Sequence, residues 1–142
     1  MITFKQSGII DAPIEKVFSI VADPKKIPLW RKDVPAITQI SGETRVGSTF
    51  LEEVHFMGTK QLLMKVVEFI PNKKLVIEGQ SGMSMLPAQS FNFSEEGNKT
   101  RIDLDVSMKI SGMFRLMEFM LPSMLKKTWA NYFIQLNQLA SG

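Results

Sequence analysis

The sequence predicts an α+β fold in which a curved antiparallel β-sheet of about seven strands wraps round a long, kinked C-terminal helix. Two observations carry this prediction. Turn signals recur through residues 34–109 and separate runs of about eight to eleven residues, which is the pattern of successive hairpins. Residues 111–139 then change to helical periodicity, with no other helix between them and the strands. At 142 residues the chain has the length of one domain, which we expect to span residues 1–142.

The first thirty residues predict a strand followed by two short helices. Residues 2–10 alternate in the manner of a strand. Pro13 then stands where a helix best tolerates proline, at its first position, and Asp23 with Pro24 ends the helix that follows. A second, shorter helix or turn runs to Leu29, and Trp30 ends it.

Six strands are expected between Val34 and Lys109, and their alternation predicts which side chains face the interior. The last strand shows the clearest period of two, with apolar residues on one parity and charged or polar residues on the other. The same rule places the acid Glu52 on an inward parity and His55 on the outward one. The inward residues expected from these strands are Phe50, Glu52, Val54, Phe56, Phe91, Phe93, Ile102, Leu104, Val106 and Met108.

The terminal segment carries more apolar residues before Pro122 than one face of a surface helix can hold, so we expect it to be covered on more than one side. Pro122 falls inside the helical pattern, where it removes a backbone hydrogen bond. A kink or brief break is therefore expected near Leu121. Beyond it, one apolar stripe continues through Leu125, Trp129, Tyr132, Leu136 and Leu139.

Composition excludes several functional classes. The chain is 44% hydrophobic and 22% charged, which is typical of a globular domain. It has no cysteine and one histidine, so we expect no disulfide, no thiolate chemistry, no metal site and no cofactor. The net charge of +3 is spread over scattered basic pairs, without the basic and aromatic stripe of a nucleic-acid binder. The first residues do not show the basic start and apolar stretch typical of a signal peptide, and Arg115 and Glu118 interrupt the longest apolar region. We expect a cytoplasmic protein with no transmembrane segment.

Four stretches of the sequence carry a family resemblance in their order and spacing: DAPIEKVF at 11–18, DPKKIPLW at 23–30, VGSTF at 46–50 and VEFIPNKKL at 67–75. Together with the expected elements, they resemble the polyketide cyclase/dehydrase and lipid-transport family. This family belongs to the START-like (SRPBCC) superfamily, which includes the birch-pollen allergen type. The resemblance implies a helix-grip domain with a cavity between the sheet and the terminal helix.

The inward residues and the resemblance together predict binding of a small hydrophobic or amphipathic molecule, such as a lipid, isoprenoid or polyketide-like compound. Nine of the ten methionines lie between Met57 and Met124, and methionine adapts to varied apolar shapes. Glu52 is the expected polar anchor, and the resemblance implies a position for Trp30 at the mouth of the cavity. The residues expected to contact the ligand are Trp30, Phe50, Glu52, Val54, Phe56, Phe91, Phe93, Leu104, Val106, Met108, Phe114, Met117, Leu121, Leu125 and Trp129.

Two other functions stay open. In the first, the chain is an interaction module, a monomer or a homodimer, that binds a protein partner, a second copy or a membrane surface. Its contact surface is then the apolar flank formed by Met113, Leu116, Met120 and Met124. In the other it is a cyclase or dehydrase in which Glu52 and Tyr132 handle protons. The sequence weighs against catalysis, because it contains no nucleophile elbow or other catalytic motif and its one histidine is expected to face outward.

Overall fold

The computed structural model describes residues 1–55, 58–82 and 85–142, except for the side chains of residues 113 and 114. In this part of the chain, strand β1 (Ile2–Ile10) is followed by helix α1 (Ile14–Val21), a 3-10 helix (Pro24–Lys26) and helix α2 (Ile27–Trp30). The next strands are β2 (Ala36–Thr38), β3 (Thr49–His55), β4 (Thr59–Ile70), β5 (Lys74–Ser81), β6 (Met85–Glu96) and β7 (Lys99–Ile110). A second 3-10 helix (Gly112–Met117) leads to the terminal helix α3 (Leu121–Ser141).

The seven strands form one antiparallel sheet in the order β1-β7-β6-β5-β4-β3-β2. Strands β2 to β7 follow one another as a meander, and β1 pairs with β7, so that Gly8 lies opposite Ile102. Two register shifts in β4, one of them between Leu63 and Met64, add local twist to the sheet. Helix α3 packs against β1, so the predicted α+β architecture of about seven strands and a long C-terminal helix is confirmed.

The predicted alternation of the strands is confirmed wherever the structure describes it. In β7 the side chains of Ile102, Leu104 and Val106 are buried, and Met108 is half-buried. In β3 the buried side chains are Phe50, Glu52 and Val54, while His55 is exposed as expected. Phe56, also predicted inward, lies outside the described residues. The main core therefore sits between the concave face of the sheet and the helices.

The terminal segment differs in detail from the sequence prediction. The break expected near Leu121 is present, because residues 118–120 form a turn and α3 begins at Leu121. The segment before the break is a 3-10 helix, however, and not the first half of an α-helix. Pro122 lies in the first turn of α3, where a backbone N–H has no partner to lose. It therefore begins a helix and does not kink one.

Candidate functional site

A cavity lies between the sheet and α3, next to the segment that follows α2. Its volume is about 60 Å³, enough for a few water molecules and well below the roughly 300–1,000 Å³ of most sites for drug-sized ligands. Its apolar wall includes two methionines, whose side chains can change rotamer more easily than those of branched residues. The lining residues are Arg31, Asp33, Glu52, Val54, Leu62, Met85, Pro87, Gln89, Met108, Leu125, Thr128, Trp129 and Tyr132.

The cavity wall includes a buried polar cluster. The guanidinium of Arg31 donates from Nη1 to Oε1 of Glu52 over 3.3 Å, and these two side chains are only 9% and 2% exposed. The hydroxyl of Tyr132 donates to Oδ1 of Asp33. The Nε of Arg31 is buried and has no hydrogen-bond partner in the part of the chain that the structure describes. The contact with Glu52 is longer than a typical charge-assisted hydrogen bond, and the Nε–H of Arg31 remains an unused donor.

Local backbone structure brings these polar groups to the cavity. Arg31 caps the C-terminus of α2 in an extended conformation, and its N–H donates to the carbonyl of Ile27. The carbonyl of Asp33 accepts from the N–H of His55 over 2.7 Å, which ties this segment to the end of β3. Tyr132 comes from α3. Three separate parts of the chain therefore converge on one cluster.

Aromatic rings form the wall beside Arg31. Its guanidinium carbon lies 4.9 Å from the ring centroid of Trp129 and 5.2 Å from that of Tyr132. Contacts of this kind stabilise a desolvated cation by about 0.5–2 kcal/mol. Trp30 packs behind this wall, with its ring centroid 6.1 Å from that of Trp129. Its indole Nε1 is buried, with no hydrogen-bond partner within residues 1–55, 58–82 and 85–142 as described. The charge of Arg31 is thus enclosed by rings as well as by carboxyl groups.

Burial dominates the electrostatics of the cluster. It raises the pKa of the Glu52 carboxyl; the Arg31 guanidinium counteracts that rise, and Asp33 adds to it. Burial is also the main reason why the pKa of the Tyr132 hydroxyl is raised, so this group remains a hydrogen-bond donor at neutral pH. Burial alone would lower the pKa of Arg31, but its neighbours Glu52, Tyr132 and Asp33 raise it. One permanent cation therefore faces two carboxyl groups.

The structure brings five of the residues predicted for the site to the cavity wall: Glu52, Val54, Met108, Leu125 and Trp129. Leu121 is buried in a small separate cluster with Ile2, and Met117 packs against that cluster. Phe56 lies outside the described residues, as does the side chain of Phe114. The other predicted residues are packed in the core and not at the cavity: Trp30, Phe50, Phe91, Phe93, Leu104 and Val106.

Alternation explains both this outcome and part of what the prediction missed. It identifies the inward face of a strand, but it does not tell whether an inward side chain meets a cavity or a neighbouring side chain. Phe93, for example, packs against Phe18 on α1, with 5.0 Å between the centroids of the two rings. The lining residues Met85, Pro87 and Gln89 share the parity of the inward Phe91, so alternation was able to find them. Arg31 and Asp33 carried no such signal.

Two further findings concern the described residues alone. Among them, no three His, Cys, Asp or Glu side chains come together in a way that would hold a metal ion. In the same part of the chain, no helix has the length and hydropathy needed to cross a membrane.

Comparisons with known proteins agree with this architecture. The family model described as polyketide cyclase / dehydrase and lipid transport matches residues 1–137. A solved structure from Thermus thermophilus is similar with a TM-score of 0.81 at 15% identity, covering 96% of this chain and 95% of that one. A START superfamily protein from Mycobacterium smegmatis is similar with a TM-score of 0.79 at 17% identity, over 98% and 97% of the two chains.

The protein Ara h 8.0201 has a similar structure, with a TM-score of 0.75 at 14% identity over 98% of this chain and 97% of its own. No curated protein matches the sequence. At these identities, the similarity to solved structures establishes the fold alone.

Proposed function

Because the chain belongs to the polyketide cyclase / dehydrase and lipid transport family, we propose that it binds a small amphipathic molecule of lipid, isoprenoid or polyketide-like kind. The cavity between the sheet and α3 is the binding site. One observation carries this proposal: a largely apolar wall includes a buried polar cluster whose arginine has a donor without a partner among the described residues. Mostly apolar pockets with a few polar groups are typical of small-molecule sites. A cytoplasmic location stays a prediction from the sequence.

Binding requires the cavity to expand, because 60 Å³ is too small for such a molecule. The side chains best able to make room are Met85, Met108 and Leu125, which line the cavity and also belong to, or pack against, the small apolar cluster that contains Leu121. Met108 and Leu125 are only half-buried, so they have space to change rotamer. We therefore expect the apolar body of the ligand to displace these side chains while its polar group contacts the polar cluster.

The chain's own tryptophans supply the assay. The sequence contains two, and both lie at this site: Trp129 in the cavity wall and Trp30 packed against it. Titration with the uncharged probe N-phenyl-1-naphthylamine should change their emission and saturate. Native mass spectrometry after gentle purification should show a bound apolar compound.

A cavity-filling variant tests where the probe binds. Val54→Phe adds a ring at the cavity wall and should abolish saturable binding, with Leu125→Phe as a second variant if the first folds poorly. Ile134→Phe makes a comparable change at a side chain that is 54% exposed, so it serves as the control. Cooperative thermal unfolding checks that each variant is folded. Equal probe binding by Val54→Phe, Leu125→Phe and Ile134→Phe would overturn the proposal.

The segment before α3 supports a second candidate function, which is docking on an anionic membrane surface. Leu116 is 79% exposed and Phe119 is 82% exposed, an unusual degree for large apolar side chains. Met120 and Met124, at 54% and 42%, extend this apolar surface into α3. The sequence predicts such a flank, although the side chain of Met113 lies outside the described residues. Insertion into lipid would bury the two most exposed side chains, and each burial would contribute about 1.5–3 kcal/mol to the free energy of membrane binding.

Charge favours a membrane over a protein as the partner of this surface. Arg115 is exposed beside Leu116, and Lys127 is exposed three residues after Met124, hence on the same face of α3. The acid of this segment, Glu118, is paired with the N-terminal ammonium group at 3.4 Å. Each basic side chain near an anionic membrane contributes about 1 kcal/mol to binding. Apolar side chains flanked by bases are the pattern of a peripheral lipid contact.

Vesicle co-sedimentation tests this candidate. The protein should bind vesicles of phosphatidylcholine and phosphatidylglycerol at about three to one, and bind less at high salt. Leu116→Ser with Phe119→Ser should weaken binding by about tenfold or more, whereas Val46→Ser, at a side chain 62% exposed on another surface, should not. Absence of vesicle binding would refute it. A dimer in light scattering that the double variant dissociates would assign the surface to a second copy instead.

A further inference from the structure

We propose that the cavity selects a ligand whose polar group is an uncharged oxygen function, a ketone or a hydroxyl, and that it rejects the same apolar body ending in a carboxylate. This inference rests on the proposed function, since it names the polar group of the ligand bound in the same cavity. It follows from the number and position of charges in the polar cluster.

The cluster already contains more acid than base. Among the described residues that line the cavity, the titratable ones are Arg31 and Asp33 after α2, Glu52 on β3 and Tyr132 on α3. A ligand carboxylate would be a third acid around a single guanidinium. Like charges placed together in a desolvated site are strongly unfavourable, and the described residues of the cavity wall include no second cation that compensates for them.

An uncharged oxygen meets the opposite situation. The Nε of Arg31 is buried and has no hydrogen-bond partner among the described residues, so its N–H is an unused donor. An arginine that is 7% exposed cannot satisfy this donor in bulk water. Gln89, 4% exposed and also on the cavity wall, adds an amide that can donate or accept without adding charge. A carbonyl or hydroxyl oxygen of a ligand can therefore accept from Arg31 without competing with an acid.

Three ligands with one apolar chain test the inference: 1-decanol, 2-decanone and decanoate, each titrated against tryptophan emission at about pH 8. Decanol and decanone should bind with similar affinity, and decanoate should bind about tenfold or more weakly. The ketone is informative because its oxygen can only accept a hydrogen bond, which is what the unused Nε–H donor of Arg31 requires. Lowering the pH should restore binding of the ten-carbon acid, because protonation removes the negative charges of the ligand carboxylate and of Glu52.

Glu52→Gln removes one acid from the cluster, so it should strengthen decanoate binding relative to decanol by about tenfold. Glu53→Gln is the matched control: it makes the same change one residue along β3, on the face that points away from the cavity and towards His55. The control should leave the preference for decanol unchanged. The pH series on the unmodified protein gives a second measurement if Glu52→Gln folds poorly.

The outcomes separate the two proposals. If decanoate binds as well as decanol, or better, the charge argument is wrong while ligand binding stands. If decanol binds and decanone does not, the role assigned to Arg31 is wrong. If none of the three ligands binds, the proposed function itself fails.

Discussion

Replacing Arg31 with methionine should lower the free energy of unfolding by about 3–5 kcal/mol, because it leaves Glu52 as a buried carboxyl without its cation. At 3.3 Å the attraction between the two groups is about 5 kcal/mol for an effective dielectric constant of about 20. The variant also loses two cation–π contacts, to Trp129 and Tyr132. Methionine retains much of the apolar stem of arginine, so the expected loss is mostly electrostatic.

The loss should depend on pH in a definite direction. Burial raises the pKa of Glu52 in the folded protein, so the folded state holds this proton more tightly than the unfolded chain does. The associated stability is fully present below the unfolded pKa of about 4.3 and declines as pH rises through the folded pKa. Arg31→Met removes the charge that opposes this rise. Its deficit should therefore be larger at about pH 8 than at about pH 5.

Urea unfolding followed by tryptophan emission measures the effect, with Glu52→Gln and the double variant completing a cycle. The double variant should be about 2 kcal/mol more stable than Arg31→Met at about pH 8, because no buried carboxyl remains unpaired. An unchanged m-value would show that the loss of stability does not come from a change in the compactness of the denatured state. A loss below about 1 kcal/mol for Arg31→Met, equal at both pH values, would mean that the pair is solvated and would refute the reasoning.

Three other substitutions test the packing around the site. Gly8→Ala should lower the free energy of unfolding, measured in urea, by about 1–3 kcal/mol, because a Cβ there would lie 3.0 Å from Cδ2 and 3.1 Å from Cβ of Phe133. An unchanged free energy of unfolding would mean that α3 is free to move away from β1. Thr100→Val should lower the same free energy by about 1–3 kcal/mol, because the buried hydroxyl donates a hydrogen bond to the carbonyl of Ala12 over 2.8 Å. A variant as stable as the unmodified protein would contradict this hydrogen bond. Pro122→Ala should change the free energy of unfolding by less than about 1 kcal/mol and leave the helical circular dichroism signal unchanged, because Pro122 lies in the first turn of α3. A gain of about 3 kcal/mol would indicate a proline in the interior of the helix.

Much of the fold was accessible to sequence reasoning because hydrophobic periodicity reports on local geometry. The alternation through β7 identified the buried set Ile102, Leu104 and Val106 directly. Periodicity also extended the terminal helix too far towards its N-terminus. Residues 112–117 have helical spacing of apolar side chains, but Leu116 is exposed and the segment is a 3-10 helix. Spacing reveals where apolar groups recur, and it does not show whether anything covers them.

The sequence by itself determined that β3 carries an acid on its buried face, because the parity of Glu52 between Phe50 and Val54 admits no other placement in a regular strand. Only the tertiary structure decided what that acid meets. Arg31, in what looks like a polar break after α2, turns inward and pairs with it, while Asp33 and Tyr132 complete the cluster from two other parts of the chain. Charge pairing across such distances in sequence leaves no periodic trace, since it depends on which loops and helix faces the fold brings within a few ångströms of one another.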